Sequence, residues 1–210
     1  TGLGSAFSHS VSSLAGQSLL LLAVMGAAAC LILGTGVPPT PAYLVTVLIV
    51  APLMAKSGIP MVVAHFFALY YANIAFITPP VAVGALVAAG IAGADFWRTS
   101  TTAVRLAAVG FVIPIAFVYR PALLLFGSPL EILWAMAACL VLALCLTCAF
   151  EGWMFLRLRM PLRLMLLGAA FALVPPHAVA NAIACGTAVA VAAWQLKMSV
   201  PKCRQPASFE

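Results

Sequence analysis

The sequence predicts an all-α integral membrane protein, and three features of its composition indicate that class. Of its 210 residues, 65% are hydrophobic and only 7% are charged, whereas a soluble domain carries about 25% charged residues. The apolar residues form long runs separated by short polar stretches, as helices do in lipid. The basic residues lie mainly at the ends of those runs, and the short alternating segments of a transmembrane barrel are not seen.

Charge and cysteine content exclude several classes of function. The formal net charge of +6 does not indicate a nucleic-acid partner, because the basic residues form no single patch and instead follow the positive-inside pattern of membrane proteins. Cys145 and Cys148 form a C-x-x-C within an apolar run, without a second pair, and we interpret them as packing residues. The sequence contains no recognisable catalytic motif, so we expect neither an enzyme nor a bound cofactor.

The first two apolar runs predict a re-entrant hairpin over about residues 18–56. They cover residues 19–33 and 42–55, and helices of these lengths reach only about 21–23 Å, short of a hydrocarbon core of about 30 Å. The connection between them is rich in Gly and Pro, and we call residues 34–40 the hairpin tip. Residues 1–16, rich in Ser and Gly, are expected to form a loop or an interfacial segment.

A second interruption divides the next apolar stretch, at about residues 60–92. Pro79 and Pro80 have no backbone N–H, so carbonyl oxygens before them lose their helical partners. We call residues 77–81 the helix break. Non-helical backbone at membrane depth is tolerated only where it is buried in protein or lines a wet cavity. Two interrupted segments in one half of a transporter indicate a substrate and ion site near the midplane, and a purely structural kink is the alternative.

The polar atoms of the two interruptions define the candidate site. Uncharged oxygen ligands suit a hard monovalent cation better than a divalent one, so we expect sodium and no other metal. The candidate ion ligands are Gly34, Thr35, Gly36, Thr40, Ile77, Thr78 and Pro79. The candidate substrate-binding residues are Tyr43, His65 and Asn73, although a hydrogen bond to a neighbouring helix would equally explain a histidine at position 65.

The rest of the chain predicts further transmembrane helices and an orientation. Apolar runs follow at about residues 106–126, 131–156, 162–176 and 178–196, before a polar, basic tail. Placing residues 157–163 in the cytoplasm puts eight of the ten Lys and Arg residues inside. Lys56 and Arg120 are then the two outside. The positive-inside rule therefore predicts a multi-pass protein of the bacterial inner membrane with its C-terminus in the cytoplasm.

Several motifs resemble one family. They are Leu33-Gly34-Thr35-Gly36-Val37-Pro38-Pro39-Thr40-Pro41-Ala42-Tyr43, Val63-Ala64-His65-Phe66-Phe67, Ile77-Thr78-Pro79-Pro80-Val81-Ala82, Ala89-Gly90-Ile91-Ala92-Gly93-Ala94-Asp95 and Phe117-Val118-Tyr119-Arg120-Pro121-Ala122-Leu123-Leu124. Together they are similar to the fused membrane subunit, or large permease, of TRAP transporters of the TAXI type. The resemblance covers the chain from Thr1 to about Leu125.

The resemblance implies an elevator-type carrier driven by a sodium gradient, to which a periplasmic solute-binding protein delivers an organic anion. It also implies two inverted repeats, of which residues 1–126 would be the second. The chain begins with Thr and resembles the C-terminal portion of the permease, so the N-terminal half of the same permease is an expected partner, together with the lipid bilayer. Residues 127–210 would be additional transmembrane helices and a cytoplasmic tail. The alternative is a non-transporting membrane scaffold or assembly subunit.

Overall fold

A computed structural model describes residues 18–199 of the chain. Within that range every regular element is a helix, apart from one isolated antiparallel bridge between Trp153 and Arg157. The predicted all-α class is therefore confirmed. The loop predicted over residues 1–16 lies outside the described residues, as do Lys202 and Arg204 of the basic tail.

The chain divides into two compact units, one ending at Gly127 and the other beginning at Ser128. Among the described residues, the first unit contains six α-helices and a 3-10 turn. They are α1 (Leu19–Gly34), α2 (Pro39–Lys56), α3 (Met61–Ala75), α4 (Val83–Ala92), α5 (Phe96–Leu106), α6 (Ala108–Tyr119) and the turn Pro121–Leu124. The assignment of the first unit to a transporter repeat stays a prediction at this point.

Helix α2 is longer than the sequence predicted. It begins at Pro39 rather than at position 42, because proline is tolerated in the first turn, where its missing N–H has no intrahelical partner. Its 18 residues extend about 27 Å, and its length and composition are sufficient to cross a membrane. The expectation of a short second arm is therefore wrong, and the re-entrant path of the hairpin stays a prediction.

The core of the first unit lies between α1, α2 and α3. Gly26 of α1 has no side chain, so the Met54 and Phe67 side chains pack against its backbone. The Phe67 and Tyr71 rings lie 4.8 Å apart between centroids, and both side chains are fully buried. The Tyr71 hydroxyl donates a 2.6 Å hydrogen bond to the carbonyl of Phe111, which connects α3 to α6.

Residues 96–106 form a helix, although they are too polar to belong to one of the apolar runs from which helices were predicted. Asp95 is the N-cap of α5 and accepts a 2.8 Å hydrogen bond from the Arg98 N–H. The Thr99, Thr101 and Thr102 hydroxyls each donate to the carbonyl four residues earlier, so the helix itself satisfies these polar groups. Residues from Phe96 to Tyr119 consequently form a helical stretch of 24 residues, long enough to cross a membrane.

The second unit contains α7 (Pro129–Glu151), α8 (Met160–Ala172) and α9 (Ala178–Ser199), which pack against one another. A capping box between Ser128 and Glu131 begins α7. With 23 residues, α7 is the third element of the described chain that is long and apolar enough to span a membrane. It ends five residues before the predicted limit, because Gly152 takes a left-handed conformation with φ of 70°.

Arg163 of α8 closes the C-terminal end of α7. Its Nε and one terminal nitrogen donate 2.9 Å hydrogen bonds to the carbonyls of Ala149 and Phe150. A cation at a helix C-terminus is favoured by the helix dipole, and the two bonds satisfy carbonyls that have no intrahelical partner. Gly152 leaves room for this arrangement, since a Cβ there would overlap the guanidinium group.

This arrangement predicts different costs for two Gly→Ala substitutions. Gly93 and Gly152 both have positive φ at a helix C-terminus, but only Gly152 is crowded, whereas a Cβ at Gly93 meets no atom within 4 Å. Gly93→Ala is expected to cost about 1 kcal/mol in free energy of unfolding, from backbone strain alone. Gly152→Ala is expected to cost about 3 kcal/mol, because the guanidinium must also leave its carbonyls. Denaturation by SDS in mixed micelles measures both, and equal costs would contradict the capping role of Arg163.

Candidate functional site

The hairpin tip and the helix break, which are separate in sequence, meet in the structure. A Cβ built on Gly34, the last residue of α1, would lie 2.8 Å from the Cβ of Ala75, the last residue of α3. A Cβ built on Gly36 would lie 3.3 Å from Val81 in the helix break. The glycines therefore allow the backbone of the tip to approach the break closely.

The break has its own network of backbone hydrogen bonds. Prolines at positions 79 and 80 cannot donate to the carbonyls four residues earlier, those of Ala75 and Phe76. The Ala75 carbonyl instead accepts from the Thr78 N–H at 3.3 Å, and the Phe76 carbonyl accepts from the Gly84 N–H at 3.0 Å. The carbonyls that the prolines release thus have protein partners, which differs from the expectation that they are free for an ion.

Two other carbonyls of the break are better placed as ligands. No residue in the range 18–199 donates a hydrogen bond to the carbonyl oxygens of Ile77 or Pro79. Both residues belong to the predicted set of ion ligands, and both have intermediate exposure. Inside a membrane, a carbonyl without a donor carries a desolvation cost that a cation or a water molecule can offset.

Thr35 in the tip and Thr78 in the break have matching side-chain geometry. The Thr35 hydroxyl donates to the Leu31 carbonyl and the Thr78 hydroxyl to the Ile74 carbonyl, each over 2.7 Å. A hydroxyl has one proton and two acceptor lone pairs. Because each proton is directed at a carbonyl, the lone pairs of both oxygens are available to a cation.

Helix ends of both polarities surround this region. The C-termini of α1 and α3 approach each other through Gly34 and Ala75, and the partial negative charge there favours a cation. The N-termini of α2 and α4 adjoin the tip and the break, and their partial positive charge favours an anion. Pro39 and Pro41 in the first turn of α2 have no N–H to donate, so α2 contributes mainly through its dipole. Thr40 lies in the first turn of α2 and is exposed.

The structure also unites two of the three predicted substrate-binding residues. The Tyr43 hydroxyl of α2 and Nδ1 of His65 in α3 lie 2.7 Å apart, within hydrogen-bond distance, and both side chains are partly buried. The pair fits the alternative reading of His65 as a residue bonded to a neighbouring helix. Asn73 is exposed, and its side-chain nitrogen donates to the Leu69 carbonyl of its own helix at 2.8 Å.

Sequence reasoning missed the part that Gly84 plays. The spacing Gly84-x-x-x-Ala88 is typical of a face for close packing against another helix. In the structure Ala88 is exposed, while a Cβ on Gly84 would lie only 2.7 Å from the Phe76 ring. Gly84 therefore allows the chain to fold back across the break. The break just before Gly84 is the sequence feature that could have indicated this role.

The described residues offer no conventional metal centre, since no three of their His, Cys, Asp or Glu side chains cluster suitably. Any ion at the tip and the break would have to be held by uncharged oxygen atoms. Such a ligand set lacks the carboxylates that divalent cations usually require in proteins.

Comparison with known families covers the whole of the first unit. Residues 1–132 match the family model described as "Tripartite ATP-independent periplasmic transporter, DctM component". The match contains the hairpin tip, the helix break and every candidate site residue. Neither the curated proteins nor the solved structures include a significant match to the chain.

The contact between the tip and α3 predicts the effect of adding one methyl group. Gly34→Ala forces a Cβ to within 2.8 Å of the Ala75 Cβ, and such overpacking costs about 1–3 kcal/mol. Gly90→Ala in α4 is the matched control, because no atom lies within 4 Å of its Cβ position. Alanine there is expected to stabilise the helix by up to about 1 kcal/mol.

SDS denaturation in mixed micelles compares the two variants directly. Opposite signs of the change in unfolding free energy support close packing of α1 against α3. If Gly34→Ala were tolerated as well as Gly90→Ala, the tip would not rest on Ala75.

Proposed function

Because the chain belongs to the DctM family, the membrane component of tripartite ATP-independent periplasmic transporters, we propose that it takes part in sodium-coupled uptake of an organic anion. The family is a transporter permease, so the chain is a transport component and not an enzyme. Proteins of this family generally work with a periplasmic binding protein and a small membrane component. In our proposal a periplasmic solute-binding protein delivers the anion to this chain.

One observation carries the proposal: the hairpin tip packs on the end of α3 through Gly34 and on the helix break through Gly36. In secondary transporters, half-helix C-termini and unwound carbonyls bind the coupling cation, whereas half-helix N-termini bind anionic groups of the substrate. The first unit brings both kinds of helix end to one place. This arrangement supports a coupled site, because an ion and a substrate bound side by side can stabilise the same conformation.

In the proposed cation site, sodium is held entirely by neutral oxygen atoms. The Thr35 and Thr78 hydroxyls and the Ile77 and Pro79 carbonyls are the favoured ligands among the predicted set. Both hydroxyls donate their protons to helix carbonyls, which leaves their lone pairs free. In the described structure, no residue donates a hydrogen bond to either of the two carbonyls. Four neutral dipoles compensate a single charge without the carboxylates that would favour calcium.

The proposed anion site lies beside the N-terminal ends of α2 and α4. Tyr43 and His65 lie near the first of these ends, where their mutual bond uses one donor, orients the two side chains and leaves the other donor for a ligand. The role of Asn73 is less direct, because its amide nitrogen is engaged within its own helix. The chemical class proposed for the solute, an organic anion, follows from the positive helix ends and from the resemblance to TAXI-type permeases.

The proposal extends to the architecture of the whole carrier. We infer that residues 1–126 form the second of two inverted repeats of an elevator-type, TAXI-type permease and act with the N-terminal half of the same permease. The positive-inside count supports an inner-membrane orientation with residues 157–163 in the cytoplasm. Residues 127–210 are then additional helices outside the transport repeat.

The sodium site is tested by Thr78→Val, which keeps the side-chain shape and removes one oxygen atom. In the complete transporter, reconstituted with its binding protein, the sodium concentration for half-maximal uptake should rise about tenfold, as expected for loss of one bond to a charged group. The measurement is initial uptake against sodium concentration at saturating solute. Circular dichroism establishes that the variant remains folded.

Thr147→Val is the matched control for this substitution. Its hydroxyl donates to the Ala143 carbonyl at 2.9 Å, the same local bond that Thr78 forms, but on α7 of the second unit. We expect it to leave sodium dependence unchanged. A folded Thr78→Val transporter with normal sodium dependence would remove Thr78 from the site, and uptake indifferent to sodium altogether would contradict the proposed coupling.

A further inference from the structure

The turn between α7 and α8 exposes aromatic and basic side chains. Alternate residues Trp153, Phe155, Arg157 and Arg159 are exposed, with exposed fractions of 59% for Trp153 and 48% for Phe155. Leu158, between the two arginines, is 6% exposed. Residues 154–156 bend between Trp153 and Arg157, which pair across the turn, so the exposed side chains belong to a tight turn.

The turn is held in this conformation by the second unit. Trp153 and Arg157 form an isolated antiparallel bridge, and the Leu158 N–H donates a 2.9 Å hydrogen bond to the Gly152 carbonyl. The side-chain oxygen of Gln195 in α9 accepts from the Phe155 and Leu156 N–H groups at 3.1 and 3.2 Å. Gln195 is 1% exposed, so these bonds lie in a dry environment and fix the turn to α9.

A membrane-spanning α7 would bring the turn to the membrane surface. The helix has 23 residues and is a candidate membrane span, about 34 Å long, which slightly exceeds a hydrocarbon core of about 30 Å. The turn begins directly after Glu151, the last residue of α7. Its exposed side chains therefore lie at the level of the lipid headgroups, where tryptophan is enriched.

We propose that the exposed face of this turn binds acidic phospholipids, with Arg157 and Arg159 on the phosphate and Trp153 and Phe155 in the acyl boundary. Guanidinium groups bind phosphate through paired, charge-assisted hydrogen bonds. Arg163 does not serve in this role, because it holds the carbonyls at the end of α7. A net negative headgroup is required, since a zwitterionic lipid carries its own cation beside the phosphate.

This inference is independent of the transport proposal and concerns residues outside the matched range 1–132. It assigns to the second unit a chemical partner, the anionic surface of the bilayer. Basic residues near an acidic leaflet contribute a factor of about five each in local lipid enrichment, and this factor falls as salt screens it.

The test uses Trp153 as a built-in probe in the full chain. Trp97, Trp134 and Trp194 are replaced by Phe, and the protein is reconstituted in phosphatidylcholine vesicles. In one preparation a minor fraction of the lipid is brominated phosphatidylglycerol. In the other, the same fraction is brominated phosphatidylcholine. Bromine quenches tryptophan fluorescence at short range, so the ratio of quenching reports lipid enrichment at the turn. We expect phosphatidylglycerol to be enriched about fivefold or more.

Charge variants then assign the enrichment to the turn. Arg157→Gln with Arg159→Gln should abolish the preference for phosphatidylglycerol, whereas the corresponding Lys pair should retain most of it. Lys56→Gln with Arg98→Gln, two exposed basic residues of the first unit, is the control and should change nothing. Equal quenching by the two lipids in the parent chain, or a preference that survives the Gln pair, would overturn the proposal.

Discussion

The close approach of two helix ends at Gly34 and Ala75 organises the first unit. Without a side chain at position 34, the C-terminus of α1 rests on the C-terminus of α3, and the hairpin tip is brought onto the helix break. Two C-terminal ends with partial negative charge repel each other in a medium of low dielectric constant. A cation between them would offset that repulsion, so this packing supports the proposed cation site.

The composition and the two interruptions were sufficient to predict the helical class, the tip and the break. They were insufficient for the details that depend on local hydrogen bonding. Pro39 begins a helix rather than ending a loop, and the hydroxyls of Thr99 and Thr101 are satisfied within α5. A hydropathy pattern reveals neither feature, because both depend on which backbone and side-chain groups form hydrogen bonds.

Contacts between distant residues explain the remaining differences. The Phe76 carbonyl, expected to be free, accepts from Gly84 beyond the two prolines. Gln195 fixes a turn 40 residues earlier in the chain. Such pairings depend on the packed structure, and sequence spacing alone does not specify them.

Hydrogen exchange of the complete transporter in nanodiscs, compared between sodium and potassium at equal ionic strength, tests the central claim most directly. If one cation site joins the tip to the break, sodium should slow exchange of amide protons in both segments together, including those of Gly36 and Val81. A shared site predicts protection in both segments with sodium and in neither with potassium. Identical exchange in the two salts, or protection confined to one segment, would contradict a shared site.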